Sequence, residues 1–156
     1  MGIRRSLAIG LEVFDAELDA GTAAKSGGDA YALYRIVRAG FTIEFNPRAI
    51  AWHRHRTSQV ELENMLHGYS VGLYCMLLRA LLRDRDPEAL LVGIFWFRQH
   101  HLRELWRALR HVPNSRPLDL VVREIRGVLD APLAYWKCRR REQQLGPLPD
   151  ESAEVA

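Results

Sequence analysis

From Ser58 onward the chain reads as one helix after another, and this run limits the possible folds more than any other feature. Ser58 and Glu61 stand at capping-box spacing, which predicts a helix from Gln59 to about Arg83. Asp86-Pro87-Glu88 then supplies a cap, a proline suited to a first helical position and an acid for the first turn. A second helix is expected from there to about Arg110. The stretch from His111 to Pro117 breaks the pattern. A third helix is expected from Leu118 to about Leu129, with Pro132 kinking or separating a last piece over 133–143. The tail, 144–156, is expected to be disordered.

These helices are strongly apolar. Tyr69, Leu73, Met76, Leu77 and Ala80 make one stripe, and Leu90, Leu91, Ile94, Phe95 and Phe97 make a broader one beside Trp96. Arg98, Arg103, Arg107, Arg110, Arg123, Arg126 and the run 137–141 form basic rims. Such helices either pack on each other, lie in a membrane interface with arginines reaching outward, or cover a partner protein.

With 156 residues, 48% hydrophobic and 26% charged, the chain has enough apolar sequence for one folded domain. A net charge of +3 permits anionic partners without demanding nucleic acid, which is not among the expected partners. Cys75 and Cys138 lack metal-ligand spacing and read as reduced thiols. Leu7–Leu11 is too short for a secretory signal. No apolar run reaches the ~18 residues of a membrane span, because Arg79, Arg83, Asp84, Asp86 and Arg98 interrupt the candidates. The expected location is cytoplasmic, with peripheral attachment at the inner face of the cell membrane.

Before Thr57 the sequence is mixed and glycine-rich. Met1–Gly10 reads as a helix end. Gly10–Gly28 reads as a long ordered loop with solvated acids Asp15, Glu17 and Asp19. Asp29 opens a helix whose apolar stripe is Ala30, Leu33, Tyr34 and Val37, and Gly40 stops it. Phe41–Phe45 alternates like a half-buried strand, Asn46-Pro47 is a turn, and Ala49–Trp52 is a second short strand. The expected fold is therefore an α/β segment with short strands over 1–56, then a mostly helical region over 57–143. The whole is predominantly helical.

Asp29 has two readings. It can be a helix cap, or a general base held on a rigid helix end beside Gly27 and Gly28, which would let a substrate approach the backbone. His53 and His55 share one face of the second strand and could bind a divalent metal. Arg54 and Arg56 take the other register and suit an anionic ligand. The plainer alternative is a solvated basic strand end. A helix from Asp29 to Ala39 advances ~15 Å, and the following strand can return about as far, so Asp29 and the histidines can share a site. Asp84-Arg85-Asp86 spells an acidic metal motif but reads as a helix junction.

Several of these phrases occur in an order that resembles the second half of a family-2 glycosyltransferase of the GT-A fold, in a bacterial subgroup. They are GLEVFDAELDAGT, GGD followed by AYALYR, AG, the NPRA run leading to HRHR, and HGYSVGL. The match is good over about Gly10–Gly72 and loose beyond. The resemblance implies that Asp29 is the catalytic base; the other member of the family's acidic pair falls on Gly28 and is missing. It implies that His53, from the pattern Pro47, Ala49, His53, is a metal or diphosphate ligand, with Mg²⁺ or Mn²⁺ as cofactor. It implies a nucleotide-sugar donor, a glycan or lipid-linked acceptor, and inversion. The family's nucleotide-binding half would precede this segment, so the chain is expected to be a fragment or one half of a split enzyme. Such a piece should be inactive alone and inclined to self-associate or seek that half. The alternative is a non-catalytic helical module that binds a membrane surface or a partner protein.

Overall fold

The structure is a computed structural model and describes residues 2–52 and 58–145. It is helical throughout its ordered elements. A short helix α1 (Arg5–Gly10) leads into a loop holding a 3₁₀ turn at Ala16–Leu18. Then follow α2 (Gly28–Arg38), α3 (Gln59–Leu82), α4 (Glu88–Trp96), a π-helical stretch Phe97–Leu102, α5 (Arg103–Leu109) and α6 (Leu118–Leu145).

The core is the crossing of α3 and α6. Val71 and Cys75 of α3 meet Ala131, Ala134, Tyr135 and Cys138 of α6, and Leu18, Ala24 and Tyr31 from the N-terminal region close over them. Small residues let the two helices approach closely. A Cβ on Gly127 of α6 would stand 2.8 Å from Ser70 Cβ, a distance real side chains do not tolerate. Both cysteines are free and buried. Burial comes first in pushing the Cys75 thiol up to about 12, and its S–H donates to the Ala131 carbonyl at 3.4 Å.

Two helix starts follow their local chemistry. Ser58 and Glu61 form the reciprocal capping box: Glu61 N–H donates to Ser58 Oγ at 3.2 Å and Ser58 N–H to Glu61 Oε2 at 3.4 Å. Asp86 Oδ1 accepts from Glu88 N–H at 3.0 Å at the start of α4.

The fold corrects the expected α/β class. Among the described residues there is no strand. Phe41–Phe45 and Ala49–Trp52 have no regular secondary structure and lie in solvent, with Phe45 87% and Trp52 97% exposed. Alternation marks a chain able to join a sheet, but a strand exists only when a second strand takes up its N–H and C=O groups. None is present here. The Asn46 turn does form: Arg48 N–H donates to Asn46 Oδ1 at 3.0 Å and Ala49 N–H to Asn46 O at 3.1 Å.

Two smaller expectations are also corrected. Helix α6 runs unbroken through Pro132. The proline forfeits one hydrogen bond, but Ala131, Ala134, Tyr135 and Cys138 on either side of it pack into one cluster that holds the helix on α3. Helix α2 buries Tyr31, Ala32 and Ile36, while Ala30 and Val37 of the predicted stripe face out. The reason is polar: Tyr31 donates to Asp84 at 2.9 Å and Tyr34 to Asp86 at 2.8 Å, which sets the rotation of α2 against the α3–α4 junction. The tail expected to be disordered lies, from residue 146, outside the described residues.

The loop acids were expected in solvent. Asp19 is exposed as expected, but Asp15 and Glu17 are turned inward, and for Asp15 the partner is Arg79. Its guanidinium, 2% exposed, pairs with Asp15 at 2.6 Å and donates to both Glu142 oxygens at 2.9 and 3.0 Å. One side chain of α3 thus joins the N-terminal loop to α6. Arg83 adds a looser contact to Asp15 at 3.3 Å, and Arg141 approaches Glu17 at 3.9 Å.

Helix α4 packs on α3 through Ala89 alone among its fully buried residues, against Leu77 and Ala80. Leu90, Leu91, Ile94 and Phe95 are all exposed, Leu91 by 65%. The predicted broad stripe is a free apolar surface. Helix α3 is itself long and apolar enough to cross a membrane, although 50% of the tested window is buried within the protein.

Breaking a buried ion pair strands the remaining charges, so Arg79→Met should destabilise the chain by ~3–5 kcal/mol, measured by urea unfolding. Arg83→Met, at a half-exposed pair, should cost less than ~1 kcal/mol. The hydrogen bonds from Arg79 hold the Glu142 carboxyl below its ordinary range. That contribution is full above the ordinary glutamate pKa and is lost as pH falls through the depressed one, so wild type should lose stability faster than Arg79→Met on acidification.

The exposed apolar surface also makes a prediction of its own. In light scattering the purified chain should form oligomers at micromolar concentration that a mild detergent disperses. A monodisperse monomer without detergent would count against an uncovered α4 face.

Candidate functional site

The site expected from sequence centres on the turn that starts α2. Gly27 has φ 109°, a left-handed conformation that L side chains rarely adopt. A Cβ there would also stand 2.7 Å from the Gly72 carbonyl oxygen of α3. Gly72 is equally constrained, because its own Cβ would strike Ser26. Ser26 Oγ donates to the Gly68 carbonyl at 3.0 Å. The turn is therefore seated in a groove on α3 made by Gly68 and Gly72, four residues apart on one helix face. Gly28 is buried against Leu18, whose carbonyl would lie 3.0 Å from an added Cβ.

These contacts revise the part given to the two glycines. The close neighbour they admit is the protein's own backbone. No substrate is needed to explain either of them. What they achieve is to hold the start of α2 rigidly on α3.

Asp29 lies at the second position of α2 and is exposed. It is not the cap residue; that place is taken by Gly27. Asp29 Oδ1 accepts from Ala30 N–H at 2.8 Å. The carboxylate thus stands on a rigid helix start, and one hydrogen bond leaves it acceptor capacity.

Next to this turn a relay links three elements. Lys25 Nζ donates to His67 Nδ1 at 3.1 Å, and His67 Nε2 meets Asp130 Oδ2 at 2.9 Å. Lys25, Glu61, Asn64, Met65, Gly68 and Tyr69 line a shallow depression of about 230 Å³. It is the surface feature that borders the Gly27 turn.

The other sequence-predicted site residues, His53, Arg54, His55 and Arg56, lie outside the described residues. The structure therefore brings together Asp29, Gly27 and Gly28, and these alone of the predicted set. Asp84 and Asp86 are spent on Tyr31, Tyr34 and Arg38, with Arg38 and Asp86 2.8 Å apart, which accounts for that acidic motif as a junction.

A second cluster was passed over in the sequence. His100, His101 and Glu124 present ligand-capable atoms all within 4.8 Å of one another. His101 is 2% exposed, and neither ring nitrogen has a hydrogen-bond partner. Burial comes first in pushing its pKa down to about 4, so the ring is neutral at pH 7. The adjacent histidines were visible as a pair. Their link to Glu124 was not, because it depends on how α6 packs beside the π-helical stretch.

No protein-family model matches the chain, and no curated protein or solved structure matches it.

Two variants separate the glycine turn from the acid beside it. Gly27→Ala forces a left-handed alanine into the α3 groove and should cost ~1–3 kcal/mol of unfolding free energy. Asp29→Asn keeps the hydrogen bond to Ala30 and should stay within ~0.5 kcal/mol of wild type. Thermal and urea unfolding check both.

Proposed function

We propose that the chain supplies the acceptor-side part of an inverting, nucleotide-sugar-dependent glycosyltransferase that transfers a sugar to a surface glycan or lipid-linked acceptor. Two things support this. The first is the ordered resemblance over Gly10–Gly72. The second, which carries the proposal, is the state of Asp29. Asp15 and Glu17 on the preceding loop are drawn inward towards arginines. Asp29 is exposed on a rigid helix start, available to an incoming hydroxyl.

In this role Asp29 accepts the proton of the acceptor hydroxyl as its oxygen attacks the anomeric carbon of the donor. The bond to the nucleoside diphosphate breaks on the opposite face, so configuration inverts. One base and one displacement need no covalent intermediate. Arg54 and Arg56 are the residues proposed to offset charge on the departing diphosphate. The family's Mg²⁺ or Mn²⁺ would fall to His53 and His55. Two imidazoles alone fit those hard cations poorly, since both favour carboxylate and phosphate oxygens. The proton transfer to Asp29 does not depend on them.

The experiment is steady-state kinetics on a transferase that carries this segment, with labelled sugar nucleotides and lipid-linked acceptors. Asp29→Asn should lower kcat by ~10²-fold or more and leave donor binding unchanged. A fall of less than about threefold would show that Asp29 only starts a helix, and the proposal would fail.

A second reading has its own support in the free apolar face of α4 with its basic flank: a helical module that binds an anionic membrane surface. Co-sedimentation with vesicles of anionic and of neutral lipid distinguishes it. Binding that requires anionic lipid and is lost in Leu91→Asp/Phe95→Asp favours the module.

A further inference from the structure

The π-helical stretch Phe97–Leu102 interrupts an otherwise continuous α4–α5 rod. Such interruptions cost regular hydrogen bonding and recur at functional sites. This one carries His100 and His101 side by side. Their rings meet edge to face with centroids 5.0 Å apart. Across from them, Glu124 of α6 is buried, with His100 Nε2 3.5 Å from its Oε2.

His101 is the unusual member. Tyr74 and Phe97 flank its ring at 5.9 and 5.8 Å, and both nitrogens lack a partner. A buried imidazole in an aromatic pocket with no hydrogen bond is unfavourable, since each unpaired polar atom costs free energy. A ligand that takes a nitrogen lone pair would remove part of that cost. From these residues we propose that His100, His101 and Glu124 form a binding site for a first-row divalent cation of the Zn²⁺ type.

The donor set selects the metal class. Two imidazoles and one carboxylate suit Zn²⁺ and its transition-metal neighbours and disfavour Mg²⁺ or Ca²⁺. Three protein ligands leave a position for water, and His100 lies on the more open side of the cluster. Arg116 donates to both Glu124 oxygens at 2.9 Å. Each carboxylate oxygen has two lone pairs, so the guanidinium can orient Glu124 while one oxygen binds the metal. Its positive charge opposes the cation, which predicts micromolar rather than nanomolar affinity. Bound metal would tie the π-helical stretch to α6 and hold the α4–α5 rod in place. None of this involves Asp29 or the HRHR run, so the site stands or falls separately from the proposed transferase role.

The test is calorimetric titration of chelator-treated chain with Zn²⁺, alongside the thermal midpoint with and without metal. One Zn²⁺ per chain and a raised midpoint are expected, with no comparable step for Mg²⁺. His100→Ala changes a part-exposed residue and should abolish the step while circular dichroism stays unchanged. His101→Leu fills the apolar pocket, so it should fold and also lose the step. His53→Ala/His55→Ala should retain it. Absence of a one-to-one Zn²⁺ step overturns the proposal. So does a step that survives in both His100→Ala and His101→Leu, or one that disappears only in the His53/His55 variant.

Discussion

The rest of the structure depends on a buried guanidinium. Arg79 sits in the last turn of α3, at one end of the α3–α6 contact, with Asp15 on one side and Glu142 on the other. A positive charge at that depth needs carboxylate partners, because its desolvation costs several kcal/mol. Pairing therefore forces the N-terminal loop and the last turns of α6 to meet at the same place. Once Asp15 is seated, Leu18 and Ala24 fall onto α3, and the Gly27 turn reaches its groove at Gly68 and Gly72. The rigid placement of Asp29 is a downstream result of that chain of contacts.

Two surfaces have no such anchor. The irregular segment over residues 41–52 exposes Phe45, Ile50 and Trp52, and the outer face of α4 exposes Leu90, Leu91 and Phe95. Both expose large apolar side chains, which a partner protein or a membrane surface would cover. A transferase segment docking against further protein would use the first. Attachment to a membrane would use the second. The two roles are therefore compatible on one molecule.

The helical region was largely legible because helix signals are local. Ser58 and Glu61 find each other within one turn, and the cap at Asp86 needs only Glu88. The strands failed for the complementary reason. Phe41–Phe45 has the right alternation, but alternation cannot supply a partner. Pro132 does not divide α6 into two helices, because packing on both sides of it outweighs a local helix-breaking signal. The acids Asp15 and Glu17 looked solvated because their partners, Arg79 and Arg141, lie more than sixty residues away along the chain.

At the candidate sites the division is similar. The sequence by itself determined where the helices of the C-terminal region begin, and that α2 starts close to Asp29 and its glycine pair. These are properties of neighbouring residues, set by capping geometry and backbone freedom. Only the tertiary structure decided that Gly27 faces the backbone of α3 rather than a ligand, that Asp29 is left exposed, and that His100 and His101 meet Glu124. Each of those is a contact between elements distant in sequence. Their geometry is set by how closely small residues let α3 and α6 approach, and by which buried charge had to find a partner.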